Sequence, residues 1–156
     1  MIQDTINSKL KAAMKARDSV TVSTLRLLNS EIKNAVIDKG EPLNDAEVQK
    51  VVSKEAKKRK DAIEALKQVQ SKLTKEQSLT HKEKIQTEEK ELEILKEYLP
   101  DQLSDTEVAK LVDEAVKETG AKTMADMKSV MGTVMSKASG QVDGSMVARL
   151  VQEKLQ

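Results

Sequence analysis

Reactive side chains are few in this chain, and their spacing argues against chemistry. The single histidine, His81, stands beside Lys82 and Lys84 with no partner spaced to hold it as a general base, so a surface position is expected. No Cys is present, which removes thiolate nucleophiles, disulfides and cysteine-type zinc sites together. The acidic pairs Glu88-Glu89 and Asp113-Glu114 are neighbours in sequence, and neighbours on a helix point apart; no Glu-x-x-His spacing accompanies them. A nucleotide-binding glycine loop and an amidase-type nucleophile arrangement are also missing. The expectation is no catalytic residue, no metal and no cofactor.

Charge offers a different kind of site. Residues 54–60 read KEAKKRK, in which Lys57, Lys58 and Lys60 are candidates for phosphate contact; the alternative is a solvated helix face, since Glu55, Asp61 and Glu64 lie close by. Arg59 differs from its neighbours because it falls inside the apolar stripe of Val52, Ala56, Ile63 and Leu66. A guanidinium there needs a partner. If residues 44–70 and 74–99 form an antiparallel hairpin, Glu88, between Ile85 and Leu92 on the opposing stripe, lies across from it, and a structural Arg59–Glu88 pair that sets the register is expected.

Near the C-terminus, Met124, Met127, Met131 and Met135 recur at helical spacing, either as core filler or as an adaptable apolar groove. The segment from Val130 to Gly144 adds Gly132 inside a helix, Lys137, Gly140 at a helix end, and Asp143-Gly144 opening the next helix. An interior glycine costs about 1 kcal/mol of helix propensity, so close packing or a partner's approach is expected at Gly132. The amides near Gly144 and Ser145 could receive a phosphate, with Asp143 competing for the same donors.

The elements that must position these residues are all helical. Apolar spacing predicts helices over about 2–16, 20–38, 44–70, 74–99, 104–119, 123–137 and 145–155. Asn44-x-x-Glu47, Thr74-x-x-Gln77 and Ser104-x-x-Glu107 are capping-box spacings, while Gly40, Gly120 and Pro100 stop helices. An all-α fold is expected, with a four-helix N-terminal domain at 1–100 and a three-helix C-terminal domain at 101–156. There is no Phe, no Trp and one Tyr, so Met, Leu, Ile, Val and Ala must fill the interior.

The net charge of +1 is unevenly spread. Residues 1–100 hold 20 Lys and Arg against 17 Asp and Glu, and residues 101–156 hold 7 against 9. Nucleic-acid binding must therefore rest on a local patch, and no DNA partner is expected. Asp4 interrupts the first segment before any apolar run, so it does not read as a signal peptide, and no stretch is long enough to span a bilayer. A cytoplasmic protein with no membrane partner is the expectation.

Several of these segments together resemble one family. Leu25-Arg26-Leu27-Leu28 with Ile32-Lys33-Asn34, then Lys57 to Ile63, then the run from Glu88 through Tyr98-Leu99-Pro100 to Ser104, and above all Val130-Met131-Gly132 through Gly140 to Asp143-Gly144, resemble the stand-alone members of the GatB/YqeY-domain family. The resemblance implies a C-terminal three-helix unit similar to the tail of the B subunit of the tRNA-dependent Asp/Glu amidotransferase, a tail that helps engage tRNA. It implies tRNA or a tRNA-handling enzyme complex as partner. Carbon–nitrogen ligase activity with glutamine as amide donor belongs, on the same resemblance, to the catalytic part of the larger enzyme.

Overall fold

The computed structural model describes residues 1–138 and 141–156, and every regular element among them is helical. In chain order the α-helices are α1 (Ile2–Ala16), α2 (Ser19–Lys39), α3 (Asp45–Val69), α4 (Lys75–Lys96), α5 (Asp105–Thr119), α6 (Met127–Ala138) and α7 (Gly144–Leu155). No strand occurs among the described residues.

Helix starts are set locally. Asn44, Thr74 and Ser104 each accept from the backbone N–H three residues on, and the side chains of Glu47, Gln77 and Glu107 return to the cap's own N–H, closing three reciprocal boxes. Asp18 opens α2 by accepting from the Thr21 amide at 3.1 Å and the Thr21 hydroxyl at 2.6 Å. Helix ends use the left-handed region. Gly40 and Gly120 take φ of 80° and 65°, whereas α1 ends on Arg17 at φ 56°, a conformation that side chains normally avoid.

Two boundaries differ from the sequence expectation for local reasons. The helix that ought to reach Leu99 stops at Lys96, and the N–H groups of Tyr98 and Leu99 tighten onto the carbonyls of Leu95 and Lys96. Leu99 precedes Pro100, whose ring disfavours the α region for it. Thr123 likewise opens a 3₁₀ turn, Met124–Asp126, before α6 begins, with Asp126 Oδ2 accepting from the Lys122 and Thr123 amides.

The chain folds into two compact units, Met1–Leu99 and Pro100–Gln156. In the first, α1 packs on α2 and α3 on α4, around a core of Ile6, Leu25, Leu28, Ile32, Val52 and Leu95. In the second, α5, α6 and α7 enclose Val108, Val112, Ala115, Val130, Val134, Ala138, Val147 and Val151. Met does not fill either interior. Met127, Met131 and Met146 lie half-buried at the edge of the second core, and Met1, Met14, Met124 and Met135 are exposed. Valine, which keeps one χ1 rotamer in a helix, takes the central positions that a flexible thioether would fill less uniquely.

Candidate binding surfaces

Helix α3 presents the basic run in three environments. Lys54 and Lys57 point to solvent, while Lys58 is committed to its own helix, its ammonium 2.5 Å from Oε1 of Glu55. The hydrogen bond it donates to Glu55 holds the Lys58 ammonium above the ordinary lysine range. Lys60 is half-buried and lines an open groove of about 820 Å³ along α3 and α4, with Ile63, Lys67, Leu92 and Glu93. Glu55 itself is buried, on the same face as Val48, Val52 and Arg59, a position hidden when the run is read as exposed cations. The stripe spacing of 48, 52, 55 and 59 is the signal that reveals it.

Arg59 and Glu88 are brought together, with Nη1 3.4 Å from Glu88 Oε2. The nearer carboxylate is Glu91, one turn further along α4, whose Oε2 lies 2.8 Å from Arg59 Nε. The Nε–H is not aimed along that line and makes no hydrogen bond, so the contact is ionic. Side-chain exposures of 19% for Arg59 and 16% for Glu91 leave all three groups largely out of water. Burial pushes the Glu91 carboxyl above the usual range; Arg59 opposes this and the neighbouring Glu88 adds to it.

His81 is not a surface decoration. At the end of α3 the Gln70 amide turns to the Lys67 carbonyl, three residues back, which releases the Leu66 carbonyl from its helical partner. Nε2 of His81, half-buried on the first turns of α4, meets that carbonyl and, when it carries the proton, donates to it. The tie joins the two arms of the hairpin near its turn. Tyr98 is the opposite case, since its hydroxyl is buried without a hydrogen-bond partner; burial, helped by the Glu97 carboxylate, pushes its pKa up to about 12.

In the C-terminal unit the described residues of the glycine- and aspartate-punctuated segment have separate surroundings. Lys137 reaches back to α5 and pairs with Glu118 at 2.6 Å, a bond that raises its pKa. Gly132 faces solvent on α6, and a Cβ built there would meet nothing, so the close packing expected within the chain is not the reason for this glycine. Asp143 caps α7 by accepting from the Ser145 amide at 2.9 Å, which occupies one of the donors a phosphate would use. Gly144 is the first residue of α7, and Gly140 lies outside the described residues. Among the described residues no cluster of three or more His, Asp or Glu side chains is arranged to hold a metal ion, and no helix is long and apolar enough to cross a membrane.

The chain is similar to known proteins. A family model described as YqeY-like protein matches residues 3–155. One of the glutamyl-tRNA(Gln) amidotransferase subunits of Thermococcus gammatolerans is 40% identical over 58 residues, which cover 35% of this chain and 9% of that relative. An uncharacterized protein of Schizosaccharomyces pombe is 34% identical over 104 residues, covering 67% of this chain and 76% of the relative. The chain thus spans a small part of the amidotransferase relative and most of the yeast one, and with a family match running from residue 3 to residue 155 it belongs to the YqeY-like family.

Proposed function

We propose that this protein is a cytoplasmic, non-enzymatic accessory of tRNA handling, which binds tRNA or docks on an enzyme that does, through two domains at 1–100 and 101–156. The observation that carries this reading is the 40% identity over 58 residues to part of a glutamyl-tRNA(Gln) amidotransferase. The distribution of side chains supports binding rather than catalysis. His81 is spent on a backbone carbonyl, and the carboxylates near Arg59 are paired with it. With Tyr98 buried as the sole aromatic residue, RNA contacts must be made to the phosphate backbone rather than by base stacking, and they must be salt-sensitive. Filter retention of total tRNA at about 50 mM salt, lost at several-fold higher salt, is the expected result. Absence of retention at the lower salt rejects the RNA form of this reading.

A second form, docking on the enzyme, draws support from α6. Gly132 is open on its outer face while Met124 and Met135 stand exposed nearby. A partner held by this surface is lost with Met135→Glu and stays bound at high salt; an RNA held by charge is released by salt and indifferent to Met135→Glu.

A further inference from the structure

We infer that the outer face of the α1–α2 pair, carrying Lys11, Lys15, Arg17, Arg26 and Lys33, is the surface on which the N-terminal unit takes the phosphate backbone of an RNA. This inference rests on the tRNA reading above and names the face responsible. It sets the contact apart from the KEAKKRK run, in which Glu55 takes up Lys58, and Glu88 and Glu91 take up Arg59.

One hydrogen bond marks the register of the pair, Asn29 Nδ2 donating to Asn7 Oδ1 at 3.0 Å. Lys11 lies one turn beyond Asn7 on α1, and Arg26 lies nearly one turn before Asn29 on α2. The two axial steps are about 6 and 4.5 Å, so on antiparallel helices the two cations reach one level of the same seam. Lys15 follows a further turn along α1, Arg17 ends that helix, and Lys33 continues the α2 side. All five are exposed, and among the described residues none is within ion-pair distance of a carboxylate. Lys9, Lys39, Lys58, Lys67 and Lys96 of the same unit are each joined to one.

The acids of these two helices offset the face only in part, with Asp18 next to Arg17 the one beside it. Asp4 lies 3.7 Å from the N-terminal ammonium, and Asp18 is bound to the amide and hydroxyl of Thr21. Glu31 is half-buried and acts on Lys58 of α3, and Asp38 sits at the far end beside Gly40. Like charges placed at one level repel in the free protein, and a row of phosphates turns that repulsion into attraction. Arg17 points the same way. It holds the left-handed position that glycine fills at the ends of α2 and α5, which keeps a cation at the α1–α2 turn where an unstrained residue would carry none.

Met14, Leu27 and Ile37 are exposed on the same two helices, so an acidic amphipathic protein helix is the competing occupant. The test uses the full chain, total tRNA as probe and a titration in potassium chloride from about 50 to 200 mM. Replacing Lys11, Lys15, Arg26 and Lys33 by Gln leaves the left-handed turn intact. It is expected to weaken binding about a hundredfold at low salt and to reduce the salt slope by about three. Gln at Lys54, Lys57 and Lys58 is expected to change affinity by less than about threefold. The single Arg26→Glu variant, checked for helicity, supplies the same direction of change should the quadruple variant fold poorly. If the wild type binds tRNA but the α3 variant loses more than the α1–α2 variants, this face is wrong and the tRNA reading survives. Displacement of tRNA by polyglutamate as effectively as by unlabelled tRNA assigns the face to an acidic protein segment instead. If the wild type does not bind tRNA, the inference falls together with the reading it rests on.

Discussion

Charge enters the interior of Met1–Leu99 but, among the described residues, not that of Pro100–Gln156. The first unit buries Glu55 and places Arg59, Glu88 and Glu91 largely out of water along the α3–α4 contact. The buried residues of the second are Val, Ala and Leu alone among those described. The two units therefore achieve a unique packing by different means. A long hairpin with leucine and isoleucine on both arms could slip by a turn, and a guanidinium held between two carboxylates penalises the slip. Three short helices lined with valine have less need of such a device, because each β-branched side chain admits essentially one rotamer.

Cavity-forming substitutions give the largest test of this contrast. Leu28→Ala should cost about 3 kcal/mol and Val134→Ala about 2 kcal/mol, and hydrogen exchange should show each loss of protection confined to its own unit. Loss of protection spread over both units would show that they do not unfold separately. Arg59→Ala should cost about 2 to 3 kcal/mol in urea unfolding, because it leaves two carboxylates facing each other, whereas replacing the whole set (Arg59→Met, Glu88→Leu and Glu91→Leu) should recover most of that loss. Equal stability of Arg59→Ala and wild type would remove the pair from any role in register. A smaller effect, of opposite sign, is expected in the second unit. Gly132→Ala should stabilise α6 by about 1 kcal/mol, since the added methyl meets open space.

The last prediction concerns sign alone. Glu91 in the first unit has its pKa raised by burial, so the folded state holds that proton more tightly than the unfolded chain does. Its contribution favours folding below the ordinary carboxylate range and is lost as pH rises through the folded value. Glu107 in the second unit is lowered by the hydrogen bonds it accepts at Ser104, so its contribution is present above the ordinary value and lost as pH falls through the folded one. Urea unfolding followed residue by residue by NMR from acid to neutral pH should show Glu91→Gln flattening the first unit's dependence on the rising side. Glu107→Gln should flatten the second unit's on the falling side.

What is legible in the sequence is what is decided within four residues. The reciprocal caps at Asn44, Thr74 and Ser104 need only their own third neighbour, and the ends at Gly40 and Gly120 need only one backbone conformation. The need of Arg59 for a carboxylate is visible from its place in an apolar stripe. That Glu91 comes closer than Glu88 depends on how two helices are rotated about their axes, which stripe spacing does not resolve. The role of His81 is hidden from spacing because its partner exists only after the end of α3 tightens and frees the Leu66 carbonyl. Gly132 faces away from its own chain because Val130, Val134 and Ala138 claim the core side of α6. The cations of α1 and α2 escape a reading by runs because they are scattered in sequence. Only the antiparallel pairing collects them.

The order in which helices neighbour one another has a kinetic consequence. Most packing is between elements adjacent in the chain, α1 with α2, α3 with α4, α5 with α6 and α6 with α7, over short connections. Such a pattern has low contact order and belongs to chains that fold in microseconds to milliseconds. Once all three C-terminal helices are made, their valine-rich faces are then covered quickly, which limits their chance of associating with other chains.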